Sequence, residues 1–114
     1  MKTVSFDYDG VLSNNQDMVR LAKGFLKDKD LKVIILTSRK NQDMEQVYAT
    51  ANNIGILEVL NTNYVEKNIW LNMLQNIDIK NSIDLHIDDD LFEVQALQSI
   101  GVNAIYIHSD IMDN

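Results

Sequence analysis

Thr3-Val4-Ser5-Phe6-Asp7-Tyr8-Asp9-Gly10-Val11 opens the chain with a short β-prone run that stops abruptly on two acids and a glycine. Four more short apolar runs follow, at 32–36, 56–60, 83–87 and 104–107. The run Val33-Ile34-Ile35-Leu36 is apolar at every position, as expected of a strand covered on both faces of a parallel sheet. Between the runs the apolar spacing changes to a helical one. Met18, Leu21, Ala22, Phe25 and Leu26 share one helical face, as do Met44, Val47, Tyr48 and Ala51. Trp70, Met73 and Leu74 mark a third helix; Phe92, Ala96, Leu97 and Ile100 mark a fourth, ended by Gly101. Strands alternating with helices of this length predict βαβ units. The expected fold is therefore α/β: a Rossmann-like, three-layer α/β/α domain on a parallel five-stranded sheet. Right-handed crossovers put every strand's carboxyl end on one edge, the edge where open α/β sheets bind ligands.

At 114 residues the chain fits one domain, 1–114, and its 46% hydrophobic content suffices for a packed core. Cysteine is absent, which removes disulfides and thiolate metal sites. The first residues lack the apolar length of a signal peptide, and no run approaches the roughly 20 residues of a membrane span. A soluble, cytoplasmic protein without a membrane partner is expected. The net charge of -7 opposes long-range attraction to nucleic acid or an anionic surface. It suits carboxylates gathered around a cation.

Polar residues stand at the strand ends. Asp7, Tyr8, Asp9 and Gly10 follow the first strand, Thr37, Ser38 and Arg39 the second, and Asp88, Asp89 and Asp90 the fourth. Lys67 opens the helix leading toward the fourth strand. On an extended chain Asp7 and Asp9 point to one side. With Asp88 or Asp89 they gather three or four carboxylates, whose mutual repulsion a divalent cation relieves. Hard oxygen ligands without His or Cys suit Mg²⁺. An aspartate can serve as the nucleophile of phosphoryl transfer, and a second carboxyl as general acid and base. Thr37, the backbone N–H groups after it and Lys67 can bind phosphoryl oxygens.

This pattern resembles the haloacid-dehalogenase superfamily, mostly phosphatases. Asp7-Tyr8-Asp9-Gly10-Val11 looks like its DxDG[VT] motif, Thr37 after an apolar strand like its second motif, Lys67 like the lysine of its third, and Asp88-Asp89 like the acidic pair of its fourth. The resemblance spans nearly the whole chain, in motif order. It implies a Mg²⁺-dependent phosphomonoester hydrolase with Asp7 as nucleophile, Asp9 as general acid/base, and Thr37 and Lys67 completing the catalytic set. It further implies Thr37, Ser38, Arg39 and Lys67 at the substrate, and Asp7, Asp9, Asp88 and Asp89 at the metal, Asp9 through its backbone carbonyl. Lys80 is a rival for the motif lysine, since Lys67 lacks the proline that often follows. Family members often carry a cap domain. Neither 11–18 nor 40–66 has room for one, so a capless member is expected. An open site suits a large phosphorylated substrate such as a nucleic-acid end, or a small molecule enclosed by a neighbouring subunit of a homo-oligomer.

Blander readings bear on each residue. An isolated DxD is more often a solvated strand end. A calcium loop is excluded because Val11, Leu12 and Met18 stand where a ligand, a glycine and a glutamate are required. Asp90 reads as a helix N-cap, Asn14 and Asn15 as turn residues, Trp70 as core, and His86 and His108 as structural or peripheral. Arg39 is balanced between substrate contact and surface charge. Two other functions stay open: a receiver-like signalling module phosphorylated on aspartate, and a non-catalytic binding domain.

Overall fold

The computed structural model describes residues 1–108. Five parallel strands form one sheet: β1 (Lys2–Phe6), β2 (Leu31–Thr37), β3 (Glu58–Asn61), β4 (Ile83–Asp88) and β5 (Ala104–Tyr106), in the order β3-β2-β1-β4-β5. Helices α1 (Gln16–Leu26), α2 (Glu45–Ile54), α3 (Lys67–Asn72), α4 (Ile77–Ser82) and α5 (Leu91–Ser99) connect them. The chain winds outward from β1 through β2 to β3, then returns to lay β4 on β1's other side. β1 and β4 therefore flank the topological switch point, where a crevice opens at the strands' carboxyl ends.

β2 shows why its sequence is apolar throughout. Val33 and Ile35 pack into the layer holding Ala22 of α1 and Val47 and Ala51 of α2; Ile34 and Leu36 pack into the opposite layer with Leu71 of α3 and Val94 and Leu97 of α5. In β1 the alternation has a different consequence. Val4 and Phe6 join the first layer, while Ser5 on the other face meets His86 of β4. A buried polar column thus runs beneath the sheet's edge on the face that carries α3 and α5.

Several boundaries differ from those expected. β3 begins at Glu58 because Gly55, at φ 101°, ends α2, and Ile56 fills the core from the connecting loop. The helix expected around Trp70, Met73 and Leu74 breaks at Met73, which is extended (ψ 142°); Lys67 and Leu71 face inward and Leu74 is exposed. Phe92 points to solvent rather than the core, since capping by Asp90 sets a helical phase that buries Val94 and Leu97. Tyr48 likewise lies outside α2's buried face, which is Val47, Ala51 and Ile54. Trp70 is half-buried at the edge of the second layer. Among the described residues, no helix is long and apolar enough to cross a membrane.

Candidate active site

Asp7 is the first residue beyond β1, tied to β4 by its N–H donating to the Ile87 carbonyl (2.9 Å). Asp88 ends β4 directly beside it. One carboxylate oxygen each from Asp7, Asp88 and Asp89 lies within 4.8 Å of the others. An octahedral ion with oxygens at about 2.1 Å holds adjacent ligands about 3.0 Å and opposite ones about 4.2 Å apart, so the three would draw together around a cation. The donors are all carboxylate oxygens, which suits a hard divalent cation rather than zinc.

Lys67, the first residue of α3, buries its ammonium among these acids. Its Nζ lies 2.7 Å from Asp88 Oδ2, 3.0 Å from Asp7 Oδ1 and 3.1 Å from Glu93 Oε2. The side chain is 1% exposed; its ammonium donates to Asp88 and pairs with Asp7 and Glu93. Glu93 also accepts the Lys67 backbone N–H at 3.3 Å, holding both ends of the residue. The rival, Lys80, instead reaches Asn72 on the surface.

One ammonium serves several carboxyls unequally. Burial works against the Lys67 charge, but Asp7, Asp88 and Glu93 outweigh it and hold the pKa above the usual lysine range. Burial also opposes ionisation of Asp88, but bonds from His86 and Lys67 pull that carboxyl well below the ordinary range. Asp7 goes the other way: burial, reinforced by Asp88, raises it despite Lys67. Burial, again reinforced by Asp88, raises Asp89 as well. Ionisation is thus favoured at Asp88 and opposed at Asp7 and Asp89, where added positive charge would favour it.

Beneath Asp88 lies the polar column. His86 Nε2 is 2.8 Å from Asp88 Oδ2, and Nδ1 is 2.6 Å from Ser5 Oγ. Burial lowers the His86 pKa, so the ring is neutral. It then donates from Nε2 to Asp88 and accepts the Ser5 hydroxyl proton at Nδ1. His86 orients a site carboxylate rather than serving only as packing.

Both contacts to the Asp7 carboxylate fall on Oδ1: the Tyr8 N–H at 2.8 Å and Lys67. Among the described residues, Oδ2 has no hydrogen-bond or ion-pair partner. On the neighbouring strand Thr37 is 1% exposed, and its Oγ1 has no hydrogen-bond partner. A buried hydroxyl left unpaired costs about 1–3 kcal/mol, and a ligand oxygen would remove that cost. Ser38 turns away, donating to the Val65 carbonyl and accepting from Thr62 Oγ1.

Asp9 departs from the arrangement expected. β1 ends at Phe6 and a helical turn begins at Tyr8, so the strand alternation that would align Asp9 with Asp7 has ended. Arg39 grips the Asp9 carboxylate on both oxygens, at 3.0 and 2.7 Å, while also lying over the Tyr8 ring. The carboxylate cluster is therefore Asp7, Asp88 and Asp89, without the Asp9 side chain. Asp9 instead lines a neighbouring cavity of about 590 Å³. Asn15 caps α1, Asn14 turns at φ 54° and Asp90 caps α5. These are structural roles, as expected.

Gly10 holds Asp89 in place from the other side. A Cβ there would lie 1.8 Å from Asp89 Oδ2. Gly10→Ala is expected to push Asp89 out of the cluster and to cost about 1–2 kcal/mol for the left-handed backbone. Mg²⁺ affinity measured by calorimetry should fall about 10–100-fold, the range seen when the partners of metal ligands are lost. Unchanged affinity would mean that Asp89 is not a ligand.

Glu93, Ser5 and His86 were not legible as site residues. Glu93 stands 26 residues from Lys67 in sequence, and nothing local pairs them. For Ser5 and His86 a faint signal existed: polar residues at alternate positions of strands otherwise apolar and buried.

No family model and no curated protein matches this chain. Solved structures do. A chain in a structure of the Pnkp1/Rnl/Hen1 RNA repair complex superposes with a TM-score of 0.68 at 17% identity, over 94% of this chain and 42% of that one. A second structure of the Pnkp1/Rnl/Hen1 complex gives 0.68 at 18% identity, over 94% and 46%. A universal stress protein in complex with cAMP gives 0.55 at 14%, over 95% and 97%. The chain spans less than half the length of the matching chains from the RNA repair complex. At these identities the likeness is one of fold: a parallel α/β sheet of Rossmann-like form.

Proposed function

We propose that this chain is a Mg²⁺-dependent phosphomonoester hydrolase of the haloacid-dehalogenase type, working through an aspartyl-phosphate on Asp7. The observation that carries the reading is the meeting of Asp7, Lys67, Asp88 and Asp89 at the switch point, beside the unpaired hydroxyl of Thr37. Phosphoryl transfer needs an in-line nucleophile, charge neutralisation and a proton donor for the leaving oxygen.

Each residue then has a task. Asp7 Oδ2 attacks phosphorus as the bond to the leaving oxygen breaks, and Asp9 gives that oxygen its proton. A water next attacks the phosphorus of the aspartyl-phosphate. Asp9 takes the water's proton, the bond to Oδ2 breaks, and inorganic phosphate leaves with Asp7 restored. Thr37 donates its hydroxyl to a phosphoryl oxygen, and Lys67 supplies positive charge beside the nucleophile. Mg²⁺ held by Asp7, Asp88 and Asp89 would neutralise phosphoryl charge when bound. To act, Asp9 has to exchange Arg39 for the substrate. Arg39, freed in the same exchange, contacts the substrate's anionic end.

The substrate is a soluble phosphomonoester, and a cytoplasmic setting and a homo-oligomer belong to this proposal. The RNA repair neighbour keeps a polynucleotide end among the candidates, though a net charge of -7 favours a small molecule.

The test is turnover of an aryl phosphate with Mg²⁺ or with chelator, in wild type and Asp89→Asn. Turnover should require Mg²⁺ and fall at least about 10-fold in Asp89→Asn, the lower end of what even indirect metal partners are worth. Neither turnover nor Mg²⁺ binding would replace this reading with a non-catalytic binding domain. A phosphoryl group that persists on the protein after treatment with a small phosphodonor would favour the receiver-like reading.

A further inference from the structure

The loop 61–65 between β3 and α3 is built against local preference. Asn63 and Tyr64 are adjacent non-glycine residues at positive φ, 52° and 73°. Each such conformation costs about 1–3 kcal/mol and persists only where the surroundings impose it. Here they do: Asn61 Oδ1 accepts the backbone N–H groups of Arg39 and Asn63, and Asn63 Oδ1 accepts that of Asn41. The result is an aromatic ring 68% exposed on the wall of the 590 Å³ cavity. The strained backbone thus presents a solvent-facing tyrosine that contributes nothing to the core.

The cavity begins where the carboxylate cluster ends, since Asp9 follows Asp7 by two residues and Ser38 follows Thr37. A phosphoryl group at Asp7 would direct the rest of its ester there. Lys40 Nζ sits 5.4 Å from the centre of the Tyr64 ring, and both residues line the cavity, where the exposed ring can stack a flat partner. Gln42 and Gln46 offer both donors and acceptors to a ring edge. The charged lining residues are Arg39 and Lys40 against Asp9, Asp43 and Glu45, a net of one negative charge (2 − 3 = −1). Such a wall does not attract further phosphates, so the ligand's second half is uncharged.

We propose that this cavity binds the leaving group of a nucleoside monophosphate, with the base stacked on Tyr64. The inference rests on the phosphomonoesterase reading for where the phosphate lies, but its test does not need turnover. Asp7→Asn protein, with Mg²⁺, is titrated calorimetrically with adenosine monophosphate (3′ and 5′ isomers) and with ribose 5-phosphate. At least one adenosine isomer should bind about 10-fold or more tightly than ribose 5-phosphate, as expected for one base on one aromatic ring. Tyr64→Leu should remove that preference and Tyr64→Phe keep it. Tyr64 is exposed, so neither change threatens the fold. Equal binding of both adenosine isomers and the sugar phosphate, or a preference unchanged in Tyr64→Leu, would overturn the proposal. A Tyr64-dependent base preference in a protein without hydrolysis would leave this inference standing and remove the phosphatase reading. Hydrolysis without base preference would do the reverse.

Discussion

Asp7→Asn is expected to leave the protein folded and reduce aryl phosphate turnover by about 10³-fold or more, the scale of losing a covalent nucleophile. The contacts make this substitution unusually clean. Tyr8 N–H and Lys67 both address Oδ1, which asparagine retains as a carbonyl acceptor. The amide nitrogen replaces Oδ2, the oxygen without a hydrogen-bond or ion-pair partner among the described residues. The electrostatics add a second expectation. Burial raises the Asp7 carboxyl pKa, so ionised Asp7 costs stability once pH rises above the ordinary carboxylate range. Asparagine removes that cost. It also removes the largest charge that offsets the burial of Lys67, so the metal-free variant should melt within a few degrees of wild type at neutral pH, the Asp88 and Glu93 pairs being kept. A variant that keeps most of its activity would end the assignment of Asp7 as nucleophile.

Lys67→Met should act on the fold itself. The ammonium is fully buried and answers Asp7, Asp88 and Glu93 together. Without it the carboxylate of Asp88, which is 0% exposed, keeps only His86 and the Asp90 N–H among the described residues. Removing one partner of a buried ion pair costs about 3–5 kcal/mol. At roughly 4–6 °C per kcal/mol for a chain of this size, the melting temperature should fall roughly 12–30 °C. Mg²⁺ should restore part of the loss, because it places positive charge among the same carboxylates, and it should do so less in Lys67→Met/Asp89→Asn. Melting within a few degrees of wild type in chelator would show that the ammonium does not hold the cluster together.

The two substitutions differ because Asp7 and Lys67 are positioned differently. Asp7 follows from its own strand: an apolar run that ends in acid places the acid at the sheet's edge. Lys67 reaches the same place from a helix start, and its role depends on Glu93, which enters from α5. The expectation that Lys67 rather than Lys80 joins the acids agrees with this geometry. The expectation that Asp9 shares a side with Asp7 does not, because β1 ends at Phe6 and the chain turns from Tyr8 onward. Arg39, balanced between substrate and surface on sequence grounds, is the partner that Asp9 found.

Short-range patterns in the chain suffice for the alternation of strands and helices, and with it a parallel sheet carrying Asp7, Thr37 and Asp88 on one edge. Those features are local, since a period of two or of 3.6 residues and an acid at the end of an apolar run are legible within a few positions. Tertiary structure decided the rest. The Lys67–Glu93 clasp, the Ser5–His86 bond that carries the column to Asp88, the Asp9–Arg39 pair and the exposed ring of Tyr64 join residues 26 to 81 positions apart or impose a backbone that local preference resists. Their geometry follows from strand order and helix phase, and these are set when the two apolar layers pack against the sheet.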